Sequence, residues 1–331
     1  MKRLVYILIF VAFGSGYAQD IQFSQFYAAP MYLNPAFAGA SAQSRLILNY
    51  RNQWPAIPKA YNSYQVSYDH NLTSINSGVG FSITHDKAGT AGLRYTSLAG
   101  QYGYAFKVNR EWVFKPALQY AFTFRDLDKS ELIFGDQLIR GGAETSVEQF
   151  VVGTTNYFDF SSGFLAYSRK AWIGGAWHHI NQPNQSLLGS EEPLPYKLSV
   201  HAGGRIEFEA SGVNRPDHVL IGAFNYKAQG KYDQFDVGFY YEHDPIVVGL
   251  WYRGIPGFKA YEPGYQNNDA VIFLVGYEIP GGIKVGYTYD LTISRLISNT
   301  AGSHEISIQY EWASPEKKLS RLKRNVPCPK F

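Results

Sequence analysis

The 331-residue chain is poor in cysteine: with Cys328 alone, no internal disulfide can form. Beyond residue 13 it also lacks any apolar run of the roughly 20 residues that a membrane-spanning helix needs, and its mean hydropathy is −0.23. A helical-bundle membrane protein is therefore excluded. Charge of either sign is sparse, at 17% of residues, and the net charge is only +3. Of that total, Lys2 and Arg3 supply +2 and residues 315–331 supply +5, so the body between them carries −4. A basic tail on a mildly acidic body is not the footprint of a nucleic-acid-binding protein.

What the chain has in abundance is aromatic: 26 tyrosines and 22 phenylalanines, alongside 32 glycines and 45% hydrophobic residues. High apolar content with negative mean hydropathy is what a membrane β-barrel produces, because lipid-facing and lumen-facing side chains alternate and average out. The N-terminus predicts export. Lys2 and Arg3 precede "LVYILIFVAF", and Gly16 and Ala18 place small residues at −3 and −1 of a cut between Ala18 and Gln19.

Alternation with period two recurs from residue 44 onward. In "GSHEISIQYEW", His304, Ile306, Ile308, Tyr310 and Trp312 share one face, and Glu305, Ser307, Gln309 and Glu311 the other. In "YNSYQVSYDH", Tyr64, Val66 and Tyr68 oppose Gln65, Ser67 and Asp69. In "GGIKVGYTYD", Val285, Tyr287 and Tyr289 oppose Gly286, Thr288 and Asp290. Fourteen segments read this way: 44–53, 61–70, 77–86, 94–107, 111–124, 157–168, 170–179, 196–209, 217–227, 231–242, 245–253, 269–279, 281–290 and 302–312. An even number suits a single-chain barrel with both termini in the periplasm. Most connections agree: 108–110, 169, 243–245 and 280–282 fall on one end, and the long 125–156, 180–195 and 254–268 on the other, as expected of short periplasmic turns and long outer loops, while the medium-length turns 71–76 and 210–216 and the short outer loop 228–230 fit less well. A soluble sandwich would also alternate. It would not place Tyr50, Trp54, Trp112, Phe124, Tyr310 and Trp312 at the margins of the apolar faces, as interfacial girdles do.

The expected organisation is thus all-β: residues 1–18 a signal peptide, 19–43 an irregular N-terminal segment, 44–313 a transmembrane antiparallel barrel of about 14 strands, and 314–331 a basic periplasmic tail. No constellation points to catalysis, a cofactor or a metal. His178 and His179 are adjacent, so on a strand they point to opposite faces, one to the lumen and one to the interface. "DLDKSE" at 126–131 lacks the glycine and closing glutamate of a calcium loop. Ser82, His85 and Asp86 are not marked as a set, and Gly141-Gly142 lacks the strand–helix context of a phosphate cradle. Lys197, Arg205, Glu207 and Glu209 fall on the lumen-facing side of their segment, where they hydrate the interior, line a channel or hold a plug. Cys328 sits between two prolines in "NVPCPKF", an extended peptide available for contact.

The segment "QDIQFSQFYAAPMYLNPAFAGA" at 19–40 fits neither helix nor strand periodicity. Its five aromatics, Phe23, Phe26, Tyr27, Tyr32 and Phe37, require burial, while Gln22, Gln25 and Asn34 can serve backbone groups, and Asn34-Pro35-Ala36 signals a turn. It is expected to fold into or against the lower, periplasmic part of the lumen. This stretch resembles the N-terminal signature of the PorP/SprF family of type IX secretion outer-membrane proteins, through Phe23, Ser24, Gln25, Phe26, Pro30, Asn34, Pro35, Ala36, Phe37 and Gly39. The Cys-Pro-Lys-Phe ending with Cys328 is similar as well. The resemblance implies a non-enzymatic component in the outer membrane of a Gram-negative bacterium. Its partners would be the type IX secretion machinery, outer-membrane lipid and a secreted surface protein or adhesin, some such adhesins serving gliding motility. A channel or transporter for small or hydrophobic solutes is the alternative the same barrel allows.

Overall fold

The computed structural model describes residues 20–41, 44–59, 61–89, 91–128, 135–141, 153–208, 218–255, 267–294 and 300–312. A short helix α1 (Pro30–Leu33) and a 3₁₀ turn (Pro35–Phe37) precede the strands. These are β1 (Ser44–Gln53), β2 (Tyr61–Leu72), β3 (Ser77–Ala88), β4 (Leu93–Tyr104), β5 (Phe106–Lys107), β6 (Val113–Leu127), β7 (Thr155–Tyr167), β8 (Ala171–His178), β9 (Lys197–Phe208), β10 (His218–Gln229), β11 (Tyr232–His243), β12 (Ile246–Gly254), β13 (Asn268–Ile279), β14 (Ile283–Thr292) and β15 (Ser303–Trp312). A five-residue helix α2 (Gly135–Ile139) lies between β6 and β7.

Apart from β4 and β5, consecutive strands pair antiparallel, and β1 pairs with β15 from Ser44↔Trp312 to Gln53↔Ser303, which closes the sheet. β4 and β5 both pair with β6 and form one stave interrupted at Ala105, whose N–H turns to the Asn76 carbonyl at 2.8 Å. The cylinder therefore has 14 staves, as the alternation predicts. Closure leaves the cylinder without an open edge strand, the condition for crossing lipid as a sheet.

The two faces sort as the sequence requires. Leu48, Tyr64, Val66, Tyr68, Ile306, Ile308 and Tyr310 project outward, while Asn49, Gln65, Ser67, Asp69, Glu305, Ser307 and Gln309 are buried inside. Aromatic side chains gather near both ends of the outer surface. Tyr68, Trp312 and Tyr310 stack at one end, and Tyr50 packs on Tyr64 towards the other. Connections at the first end are mostly short, 73–76, 168–170, 244–245 and 280–282, with 209–217 the longer one. The long ones, 128–154, 179–196 and 255–267, are at the second. We call these the turn end and the loop end.

Candidate functional site

The lumen is occupied by the chain's own N-terminal segment. It begins at Asp20 in the loop half, runs down the interior, and reaches the turn end at Gly39 just before β1 starts. Phe26, Tyr27, Ala28, Ala36, Phe37 and Ala38 are almost wholly buried. The segment thus crosses most of the lumen rather than resting in its lower part. Its position relative to β1 in sequence fixes only where it ends.

Three knots hold it. Near the loop end, the Ser24 hydroxyl donates to Asp290 Oδ2 at 2.5 Å and accepts from Arg51 Nη1 at 2.8 Å and Arg253 Nη2 at 2.9 Å. The backbone N–H groups of Ser24 and Gln25 donate to the two oxygens of Glu305, at 2.7 and 3.1 Å. The Gln25 side chain bonds the Glu305 carbonyl and accepts from Ser307. Arg51 pairs with Asp290 and Glu305, and Arg253 with Asp236 and Asp290, so opposite charges alternate through the cluster. Buried charge is tolerable only when paired and hydrogen-bonded in this way.

Asn34 forms the middle knot. It closes α1 through its N–H to Pro30 and caps the next turn by accepting from the Ala36 N–H at 2.9 Å. Pro35 holds it extended, as proline does its predecessor. The amide nitrogen then reaches the wall, donating to the Phe164 and Gly175 carbonyls at 2.9 and 3.1 Å, beside His201. That approach needs glycine. A Cβ on Gly163 would lie 2.2 Å from Asn34 Oδ1, and one on Gly174 would lie 3.0 Å from its Nδ2. Phe37 stacks on the His201 ring.

At the turn end, Gly39 adopts φ +61° and its N–H donates to Asp69 Oδ2 at 2.9 Å, while Lys115 donates to the Ala38 carbonyl. A Cβ on Gly39 would stand 2.6 Å from Gly78 Cα, and one on Gly78 would stand 2.1 Å from the Ala38 oxygen. Two glycines therefore let backbone seat on backbone.

Between the knots, Phe26 packs on Trp251, and Tyr27 meets Trp172 and Tyr240 edge-on. Pro30 starts α1 and Pro35 starts the 3₁₀ turn, positions where a missing N–H costs nothing. Phe23 packs on Tyr32. Every signature residue from Phe23 to Gly39 thus lies in the lumen; Cys328 lies outside the described residues.

Above the segment, at the loop end, a cavity of about 550 Å³ opens, with Asp20, Gln22 and Tyr32 in its floor. Asp20 is tied to Lys197, to His179 at 2.9 Å and to Gln229 at 3.0 Å. Burial alone would raise its carboxyl, but Lys197 and His179 hold it well below the ordinary carboxylate range. His179 follows β8 in the left-handed region at φ 58°. The twist breaks strand alternation, so both His178 and His179 are buried inside, contrary to the opposite-face expectation. Burial disfavours the charged His179 ring, yet Asp20 and Asp159 outweigh it and push the imidazole up to about 9.

Lys197, on the predicted inner face, serves the segment; Arg205 and Glu207 pair with each other at 3.2 Å. Ser82 and Asp86 line the lumen while His85 bonds Thr96 on the next strand, so the three do not assemble into a catalytic set. No group of three or more His, Cys, Asp or Glu able to hold a metal occurs among the described residues. Sequence reasoning did not single out Arg51, Asp236 and Arg253. The available signal was an ionisable residue on the water-facing parity near a strand's loop end.

No curated protein matches the chain. Among solved structures it is similar to the Acinetobacter baumannii outer membrane protein Omp33, with 7% identity and a TM-score of 0.44 over 83% of this chain and 100% of that one. It is also similar to the P. putida toluene transporter TodX, with 10% identity and a TM-score of 0.48 over 85% and 93%, and to the KdgM porin, with 7% and 0.37 over 81% and 99%. At these values the likeness is one of barrel architecture. Residues 15–310 match the family described as type IX secretion system membrane protein PorP/SprF, and that match spans nearly all of the barrel and its strap. Family and fold together point to an outer-membrane component of type IX secretion: the chain belongs to the PorP/SprF family.

Proposed function

We propose that this barrel is a non-conducting platform that docks or anchors a secreted surface protein, such as an adhesin of gliding cells, for the type IX machinery. The observation that carries the reading is the filled lumen. A strap bonded to β1, β6, β7, β14 and β15 leaves the interior occupied rather than open. A stopper tied down by buried ion pairs also weighs against the alternative of a solute channel. With the loop end facing outward, the long connections and the cavity above Asp20 are presented to cargo. Residues 1–18 are then a cleaved leader, 19–43 the strap, 44–313 the barrel, and 314–331, with Cys328, a periplasmic contact peptide.

The purified protein is expected to give no stepwise conductance in planar bilayers. Deleting its gene is expected to abolish surface display of one adhesin without releasing periplasmic contents. Normal display of every surface protein in the deletion strain would sink the proposal.

A further inference from the structure

Six carboxylates inside the barrel are held against cations. Asp20, Asp69, Asp159, Asp236, Asp290 and Glu305 each have a basic side chain 3.1 Å away or less. Asp86 accepts the Ser63 hydroxyl at 2.5 Å and forms no ion pair among the described residues. It lies on the wall of the 550 Å³ cavity. The cavity's basic residue, Arg125, stands across Tyr95 from Asp86, two strands away, and is engaged by Gln185. The neighbouring cations Lys87 and Arg94 are paired to Asp128 and Asp126.

The ring around Asp86 is aromatic. Tyr95 is its register partner on β4, Ser63 its partner on β2, and Tyr61 stands two residues from Ser63; Tyr61, Tyr95 and Trp54 all line the same cavity. A carboxylate beside aromatic faces suits an organic cation, which gains both ion pairing and ring contact. It does not suit a calcium ion, which takes six to eight oxygen ligands. The space is many times the roughly 30 Å³ of a water, ample for a side chain entering from the loop end.

From this we infer that the loop-end cavity is a receptor for a lysine or arginine side chain of a docked polypeptide, with Asp86 as its counter-ion and Tyr61 and Tyr95 as its walls. The inference rests on the docking function proposed above and names the chemistry of the docked segment. The partner thus brings the charge that the barrel omits.

The test uses the full chain in detergent, with Trp54 fluorescence as signal and Trp54→Phe as the control that assigns it. Acetyl-tetralysine-amide is expected to change the signal saturably and less at high salt. Asp86→Asn is expected to weaken binding tenfold or more, and Asp86→Glu to stay within about threefold. Tyr95→Leu, which leaves the carboxylate in place, is expected to weaken it severalfold. Unaltered heat-modifiable mobility on gels shows that each variant is folded. No saturable change, equal binding by Asp86→Asn, or equal or better binding of acetyl-tetraglutamate-amide or maltotetraose overturns the inference. Normal adhesin display in a strain carrying only Asp86→Asn, with display lost on gene deletion, would overturn this inference and leave the docking function standing. Normal display on gene deletion would instead remove the docking function itself.

Discussion

Along β14, β15, β1 and β2 the lumen presents Asp290, Glu305, Arg51 and Gln65, whereas along β8, β11, β12 and β13 it presents Trp172, Tyr240, Trp251 and Ile272. One strap lies between these walls and meets each in kind. Ser24 and Gln25 turn donors and acceptors to the first, while Phe26 and Tyr27, the next two residues, turn rings to the second. Apolar contact is non-directional and rewards area. Hydrogen bonds to charged groups are directional, and a buried partner left alone is costly. The ring wall thus supplies burial, and the charged wall supplies register, fixing which residue of the strap sits at which height.

The contrast can be broken most severely at the charged wall. Arg51→Met strips a guanidinium from Asp290 and Glu305, and a loss of about 3–5 kcal/mol is expected, read as a lowered urea midpoint in micelles. Tyr27→Ala removes the ring lodged against Trp172 and Tyr240 and is expected to cost about 3 kcal/mol, with the strap keeping its register. A Tyr27→Ala loss well above that of Arg51→Met would reverse the ranking of the walls. Gly39→Ala, which must clear Gly78 Cα and hold a positive φ, is expected to cost about 1–3 kcal/mol, seen as faster proteolysis of the strap from the turn end.

The smallest effect is with pH, at the strap's first anchor. His179, raised from 6.5 to about 9, contributes stability that is complete below pH 6.5 and disappears as pH climbs through about 9. Asp20, held below 3.8, contributes above that value and loses its share as pH falls through its lowered range. Hydrogen exchange of the Ser24 and Gln25 amides should be slowest between these limits. A flat profile would show the anchor to be dispensable.

Much of the cylinder was legible because lipid and water impose a strict period of two. The segment read as 44–53 coincides with β1, and Glu305, Ser307 and Gln309 face inward as their parity requires. The gathering of Arg51, Asp236, Arg253, Asp290 and Glu305 was not legible. Those residues come from five strands, and nothing in one sequence says which lumen positions share a height. The strap's irregularity was visible in Asn34-Pro35, but its reach to Asp20 was not, because only the lumen's shape determines how far it extends. His179 escaped for a local reason: one left-handed residue redirects a side chain that alternation would send the other way.

Ser24 and Gln25 grip the last strand from inside, while Gly39, five residues before β1 starts at Ser44, is pinned against β3. The strap can reach that seat with least obstruction while the first and last staves are still apart. Assembly then resembles coopering around a bung already in place, and insertion into the membrane and sealing of the pore become a single event.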